Sequence, residues 1–122
     1  ELFAWMETNK PDFTNTFRGL VDAHLHNDPI FNHSDFQTWK SKWLKRVSSV
    51  DNYENLLEDY NPSVIPRNHL VEEALTQASE NENMIPFNEL LTKLQSPFEH
   101  YTSDKHQQPP ASENGYQTFC GT

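Results

Sequence analysis

Apolar side chains recur along this chain three and four positions apart and almost never at alternate positions, so the pattern predicts helices and almost no strand. Leu2, Trp5 and Met6 share one face of a first short helix. Pro11 suits the first turn of a second, where its missing N–H costs nothing, and Phe13, Phe17, Leu20 and Val21 form the expected buried stripe. The segment HLHNDPIFNH, residues 24–33, breaks the spacing and reads as a loop. Ser34, with Gln37 three places on, fits a capping box for a third helix. Phe36, Trp39, Trp43 and Val47 follow on one face, with Lys40, Lys42 and Arg46 mainly on the others. Asp51 and Glu54 repeat the capping logic ahead of Tyr53, Leu56, Leu57 and Tyr60. YNPSVIPRNH is a corner, because Pro62 and Pro66 push the residues before them out of helical geometry. A helix with Val71, Ala74, Leu75 and Ala78 inward then runs to about residue 80. After SENEN, a last helix opens at Pro86, carries Phe87, Leu90, Leu91 and Leu94, and ends at Ser96-Pro97.

These elements predict an all-α fold, a bundle of about five to six short helices over residues 1–100. From Thr102 to Gly115 the chain has no aliphatic side chain larger than Ala and no aromatic one. Such a stretch cannot offset its ordering entropy by burial, so residues 101–115 are expected to be a flexible linker. Tyr116 and Phe119 then give residues 116–122 a means of docking as a C-terminal tail, with Cys120 beside the small Gly121. Hydrophobic residues make up only 34% of the chain, which allows a small core, helped by three Trp, four Tyr and eight Phe.

Charge narrows the partners. A net charge of −9 opposes nonspecific nucleic-acid binding, which needs cations to displace phosphate counterions. Lys40, Lys42, Lys45 and Arg46 crowd into one stretch, and a solvated helix face accounts for them better than a phosphate site. No apolar run is long enough to span a membrane, and no basic patch precedes an apolar run as in a secretory leader. A single cysteine makes no internal disulfide, and the expected location is the cytoplasm. The chain opens on ELFAWM without an initiator Met, which reads as part of a longer protein that includes a natural C-terminus.

Candidate chemistry is sparse. In VDAHLHND, His24 and His26 lie between Asp22 and Asp28, and a His-x-His pair on a strand can face one metal. Here the flanking pattern is helix and loop, and a barrel needs roughly 200 residues or more. A weaker version is zinc held by His24, His26 and His33; the plainer reading is a polar surface loop. There is no G-x-S-x-G, and Gly19, Gly115 and Gly121 are too few for a phosphate-cradling loop. Glu72 and Glu73 read as a solvated helix flank. Arg67, beside Asn68, could hold an anion at a helix start; a tie from loop to carbonyl is the commoner use. Cys120 is either a plain thiol on a frayed tail or a tethered one able to reach a partner cysteine outside these residues.

Five stretches together resemble the C-terminal region of the SelO/YdiU family: DFTNTFRGL (12–20), FQTWKSKWLKR (36–46), YNPSVIPRNHLVEEAL (60–75), PFNELLTKLQSPF (86–98) and YQTFCGT (116–122). The Asn-Pro…Pro-Arg-Asn-His corner and the terminal Thr-Phe-Cys-Gly-Thr are the specific parts. The resemblance implies a kinase-like pseudokinase that transfers AMP from ATP to protein hydroxyls with Mg²⁺. It places the ATP and metal residues upstream, so no catalytic, cofactor-binding or metal residue is carried onto this chain. Its expected partners are the kinase-like part of the same polypeptide and protein substrates. Cys120 matches the family's near-terminal redox position, where some members carry selenocysteine. The rival reading is a stand-alone acidic helical module that binds a protein through the Trp39/Trp43 face or its acidic surface.

Overall fold

The computed structural model describes residues 1–102 and 105–111. The expectations for Tyr116, Phe119, Cys120 and Gly121, and for the end of the linker, lie outside the described residues. Within them the fold is all-helical, as expected, with six α-helices, three short 3-10 turns and no strand. The helices are α1 Leu2–Asn9, α2 Phe13–Arg18, α3 Ser34–Val47, α4 Tyr53–Tyr60, α5 Asn68–Glu80 and α6 Ile85–Gln95. They belong to two compact units, one from Glu1 to Pro62 and one from Ser63 onward.

In the first unit the core is Leu2, Trp5, Phe31 and Phe36, with Met6, Phe17, Ile30 and Trp39 packed against it. Helix α1 presents Leu2 and Trp5 inward, as the spacing predicts, and ends where Lys10 turns left-handed and donates its N–H to Met6 O. Helix α2 departs from expectation. Its cap is Asp12, whose carboxylate accepts from the Asn15 N–H at 3.0 Å, so Pro11 precedes the helix. Its buried side chains are Asn15, Thr16 and Arg18, while Phe13 is 60% exposed. The cause is that polar anchors, described below, fix the inward face of this six-residue helix. Leu20 and Val21 fall beyond its end and are half-buried.

Residues 24–33 are not a bare loop but contain two 3-10 turns, Ala23–His26 and Pro29–Asn32, that bury Leu25 and Phe31. Helix α3 is capped by His33 rather than Ser34: the imidazole Nδ1 accepts from the Asp35 N–H at 3.2 Å. Gln37 is not part of a capping box either, because its amide donates to Phe31 O at 2.6 Å and so ties α3 to the turn before it. Phe36 is fully buried, and Trp39 and Trp43 are half-buried with stacked rings 6.0 Å apart. Helix α4 follows Asn52, which is left-handed and makes no side-chain cap, so the Asp51/Glu54 expectation fails. No residue of α4 is buried, and Leu56 and Tyr60 are 49% and 79% exposed.

The second unit is built on a helical hairpin. Leu70 and Ala74 of α5 close on Leu90 of α6, with Val71, Phe87 and Leu94 partly buried against them. Pro86 sits in the first turn of α6, as expected. Leu75 and Leu91, expected inward, are 53% and 44% exposed, because Leu70, unlike Leu75, sits four residues from Ala74 and takes the inward side. The corner before α5 is stitched to the chain after α6. Ser63 donates its N–H to Pro97 O at 2.7 Å and its hydroxyl to Glu99 O at 2.6 Å. Within the stretch expected to be linker, Lys105–Gln107 form a 3-10 turn whose His106 and Gln107 are buried. Polar contacts hold this turn where apolar burial could not.

Candidate functional site

The VDAHLHND segment is where a metal site was to be sought; Asp22, His26 and Asp28 each have another task, and His24 is half-buried. Asp22 is buried beside Arg18, whose Nε donates to its carboxylate at 2.7 Å. Arg18 is itself fully buried, and its Nη1 donates to Glu58 O at 3.0 Å and to Asn61 O at 2.9 Å. A cation is thus set at the C-terminal carbonyls of α4, where the helix dipole favours positive charge. Asp28 caps its 3-10 turn by accepting from the Ile30 N–H, and His33 caps α3.

His26 is the most specifically placed of the histidines. Its ring stacks on Phe31 at 4.4 Å and meets Phe36 edge-on at 5.2 Å. Nε2 lies 2.9 Å from Thr16 O, and a carbonyl only accepts, so Nε2 carries the proton. Nδ1 therefore turns its lone pair toward the Lys40 ammonium, 3.5 Å away. Burial, helped by the Lys40 charge and resisted by the Thr16 hydrogen bond, lowers the pKa from 6.5 to about 4. Gly19 lies directly beneath: a Cβ there would run into the His26 ring and the Asn15 carbonyl. His26 is thus a neutral packing and hydrogen-bonding residue, and both its nitrogens are engaged. Among the described residues no group of three His, Cys, Asp or Glu side chains is placed to hold a metal ion.

Arg67 also acts as an anchor. Only 1% exposed, it donates from Nη2 to Gln107 O at 3.1 Å, the loop-to-carbonyl tie that was the commoner reading. Burial, and then the Arg67 charge, lower the pKa of the neighbouring His69. Glu72 and Glu73 lie on the exposed flank, and Glu73 meets Lys105 at 3.8 Å. A cleft of about 690 Å³ lies between α6 and the last turn, lined in part by Ile85, Asn88, Thr92, Lys93 and His106. The Lys93 ammonium there sits 4.0 Å over the Tyr101 ring.

The described residues do not fit a magnesium–nucleotide. Gly19 is occupied by packing, no group of three His, Cys, Asp or Glu among them is placed to hold a metal ion, and both buried arginines bond to backbone carbonyls. No transfer step is derived through them. Sequence reasoning missed Arg18, Gln107 and the Gly19–His26 packing. The signal for Arg18 was Asp22 four places on; for Gly19 it was a lone glycine among large residues. Cys120, the predicted redox residue, lies outside the described residues.

The sequence model of the family described as "Protein adenylyltransferase SelO" matches residues 2–95. Curated proteins named "Protein nucleotidyltransferase YdiU" are similar over the whole chain. That of Pelagibacter ubique (strain HTCC1062) is 41% identical, that of Alcanivorax borkumensis 39% and that of Bacillus thuringiensis (strain Al Hakam) 41%. Each alignment covers 100% of this chain and 26% of the relative, so the chain spans about a quarter of their length. No solved structure matches it. The matched residues contain both arginine anchors and the corner between them, and the chain belongs to the SelO family.

Proposed function

We propose that this chain is the helical, non-catalytic part of a SelO-type enzyme that transfers AMP from ATP to Ser, Thr or Tyr hydroxyls of proteins in the cytoplasm. Pyrophosphate leaves as the hydroxyl oxygen takes the nucleotidyl group. ATP and Mg²⁺ are held by a kinase-like part of the longer protein, and this helical region packs against that part. One observation carries the reading: relatives named as protein nucleotidyltransferases align over the entire chain with only about a quarter of their length. The described residues support the division of labour, since their buried cations are spent on backbone carbonyls. Cys120 is proposed as a redox residue that forms a reversible disulfide with a cysteine of the longer protein, the two protons and two electrons passing to an external disulfide.

The test compares full-length protein with this chain, each given labelled ATP, Mg²⁺ and a protein acceptor. Label is expected on the acceptor only with the full-length protein. Transfer by this chain alone would overturn the division of labour, and no transfer by the full-length protein would overturn the activity. Peptide mapping with and without reductant, beside Cys120→Ser, tests the redox role. It fails if no disulfide to Cys120 forms and the Ser variant keeps the same redox response.

A further inference from the structure

The outer face of α3 carries an aromatic and cationic ridge that the reading above does not use. Trp39, Lys42, Trp43 and Arg46 lie three and four residues apart and line one groove of about 230 Å³. The sequence pattern had set the cations mainly on other faces; Lys42 and Arg46 instead stand beside the indoles. The Trp rings stack at 6.0 Å, and Trp43 is braced edge-on by Tyr53, so the aromatic floor is fixed. Both Trp are half-buried, leaving part of each indole open, and Lys42 and Arg46 are exposed. An adjoining groove of about 460 Å³ shares Glu1 and Trp39 and is also lined by Trp5, His33 and Asp35. The buried Trp5 Nε1–H has no acceptor among the described residues.

We propose that this face of α3 binds an acidic polypeptide segment that also carries apolar side chains. Three features favour that occupant. The first is charge: the chain is −9 overall, yet two cations flank the indoles here. The second is a carboxylate already at the site. Glu1 meets Lys42 at 3.6 Å with both side chains about two-thirds exposed, a weak surface pair that an incoming carboxylate can replace. The third is composition, since Trp and Arg are the side chains that dominate protein–protein contact energies. A polyanion long enough to run past the ridge is disfavoured, because the acidic remainder of the surface, including Asp35 in the next groove, repels it there, whereas a short segment stays on the ridge. This proposal does not rest on the AMP-transfer reading.

The test titrates the chain with a short synthetic peptide of Glu-Leu-Glu repeats, followed by Trp fluorescence at low salt. Binding is expected with Kd in the range of about 1–100 μM and weakening with salt. Lys42→Glu/Arg46→Glu should weaken it at least about tenfold. Lys93→Glu/Lys105→Glu makes the same net charge change at two side chains that do not line the groove and should leave binding within about twofold. Circular dichroism of each variant checks the fold. Three results would each overturn the proposal: no binding of the Glu-Leu-Glu peptide to the unaltered chain, equal losses in the two double variants, or tighter binding of a thymidine oligonucleotide or a Lys-Leu-Lys peptide.

Discussion

The first unit gathers Leu2, Trp5, Phe31 and Phe36 from two helices and a 3-10 turn into one cluster, whereas the second closes around Leu70, Ala74 and Leu90 of a hairpin. Rings dominate the first core: Trp5 and Phe36 lie 4.9 Å apart, and Phe31 and Phe36 5.2 Å. The second cluster is aliphatic, with Phe87 only partly buried against it, and that unit adds polar stitching through Ser63 and Arg67. Yet the two share a device. Each has one buried arginine that ends on main-chain carbonyls about forty residues away in sequence. The difference teaches that aromatic burial and polar anchoring are separate sources of order here, and the first unit uses both.

The strongest test of that separation is Arg18→Leu, which leaves Asp22 buried without its cation. Removing one partner of a buried pair typically costs about 3–5 kcal/mol. All three Trp lie in the first unit, so urea unfolding followed by Trp fluorescence reads the loss there. Adding Asp22→Leu should recover a large part of it; no recovery would mean that the carbonyl bonds to α4, not the ion pair, carry the effect.

Core truncation should come next and separate the two units. Phe36→Ala, in a fully buried aromatic site, is expected to cost about 3–5 kcal/mol, and Leu90→Ala, 7% exposed in the smaller cluster, about 2–3 kcal/mol. Calorimetry and far-ultraviolet circular dichroism measure both, and an equal cost would erase the contrast between the cores.

A smaller effect is expected at Gly19→Ala, where a methyl group displaces the His26 ring. Overpacking of this kind costs about 1–3 kcal/mol. Combining it with His26→Ala should give less than the sum of the single changes, since the clash disappears with the ring. Strict additivity would show that the Asn15 carbonyl is what obstructs the methyl group.

The gentlest probe is pH. The folded-state pKa of His26, about 4, lies below the ordinary 6.5, so the unfolded chain takes up the proton more readily. Its contribution is whole above about pH 6.5 and is lost as pH falls toward 4. Against pH, the Trp-reported stability should slope less steeply over that window in His26→Gln than in the parent chain. Parallel slopes would assign the acid sensitivity to other groups.

Much of the fold could be read from the sequence. All six helices lie over segments whose apolar spacing predicts a helix, although α2 stops before Leu20 and α4 buries none of its apolar positions. What the spacing could not reveal is which polar residues go inside. Arg18 and Thr16 outrank Phe13 for the inward side of α2, and for Arg18 that choice is made by partners far along the chain. Gln107 is buried in a stretch whose composition reads as linker, since a single carbonyl bonded to Arg67 is invisible to composition. The caps were misplaced for a local reason: His33 caps α3 in place of Ser34, and α4 starts from a left-handed Asn52 with no side-chain cap in place of Asp51. In the site, the reading of Arg67 as a tie was correct, and the reading of His26 as a surface residue was not, because its neighbours Phe31, Phe36 and Gly19 come together only in three dimensions.

Helix α4 buries no residue and is fastened by the Arg18 guanidinium at its end and the Tyr53–Trp43 ring contact at its start. A segment held that way opens as a unit with little apolar surface to expose, so its amides should exchange with solvent through a local excursion well below the global unfolding free energy.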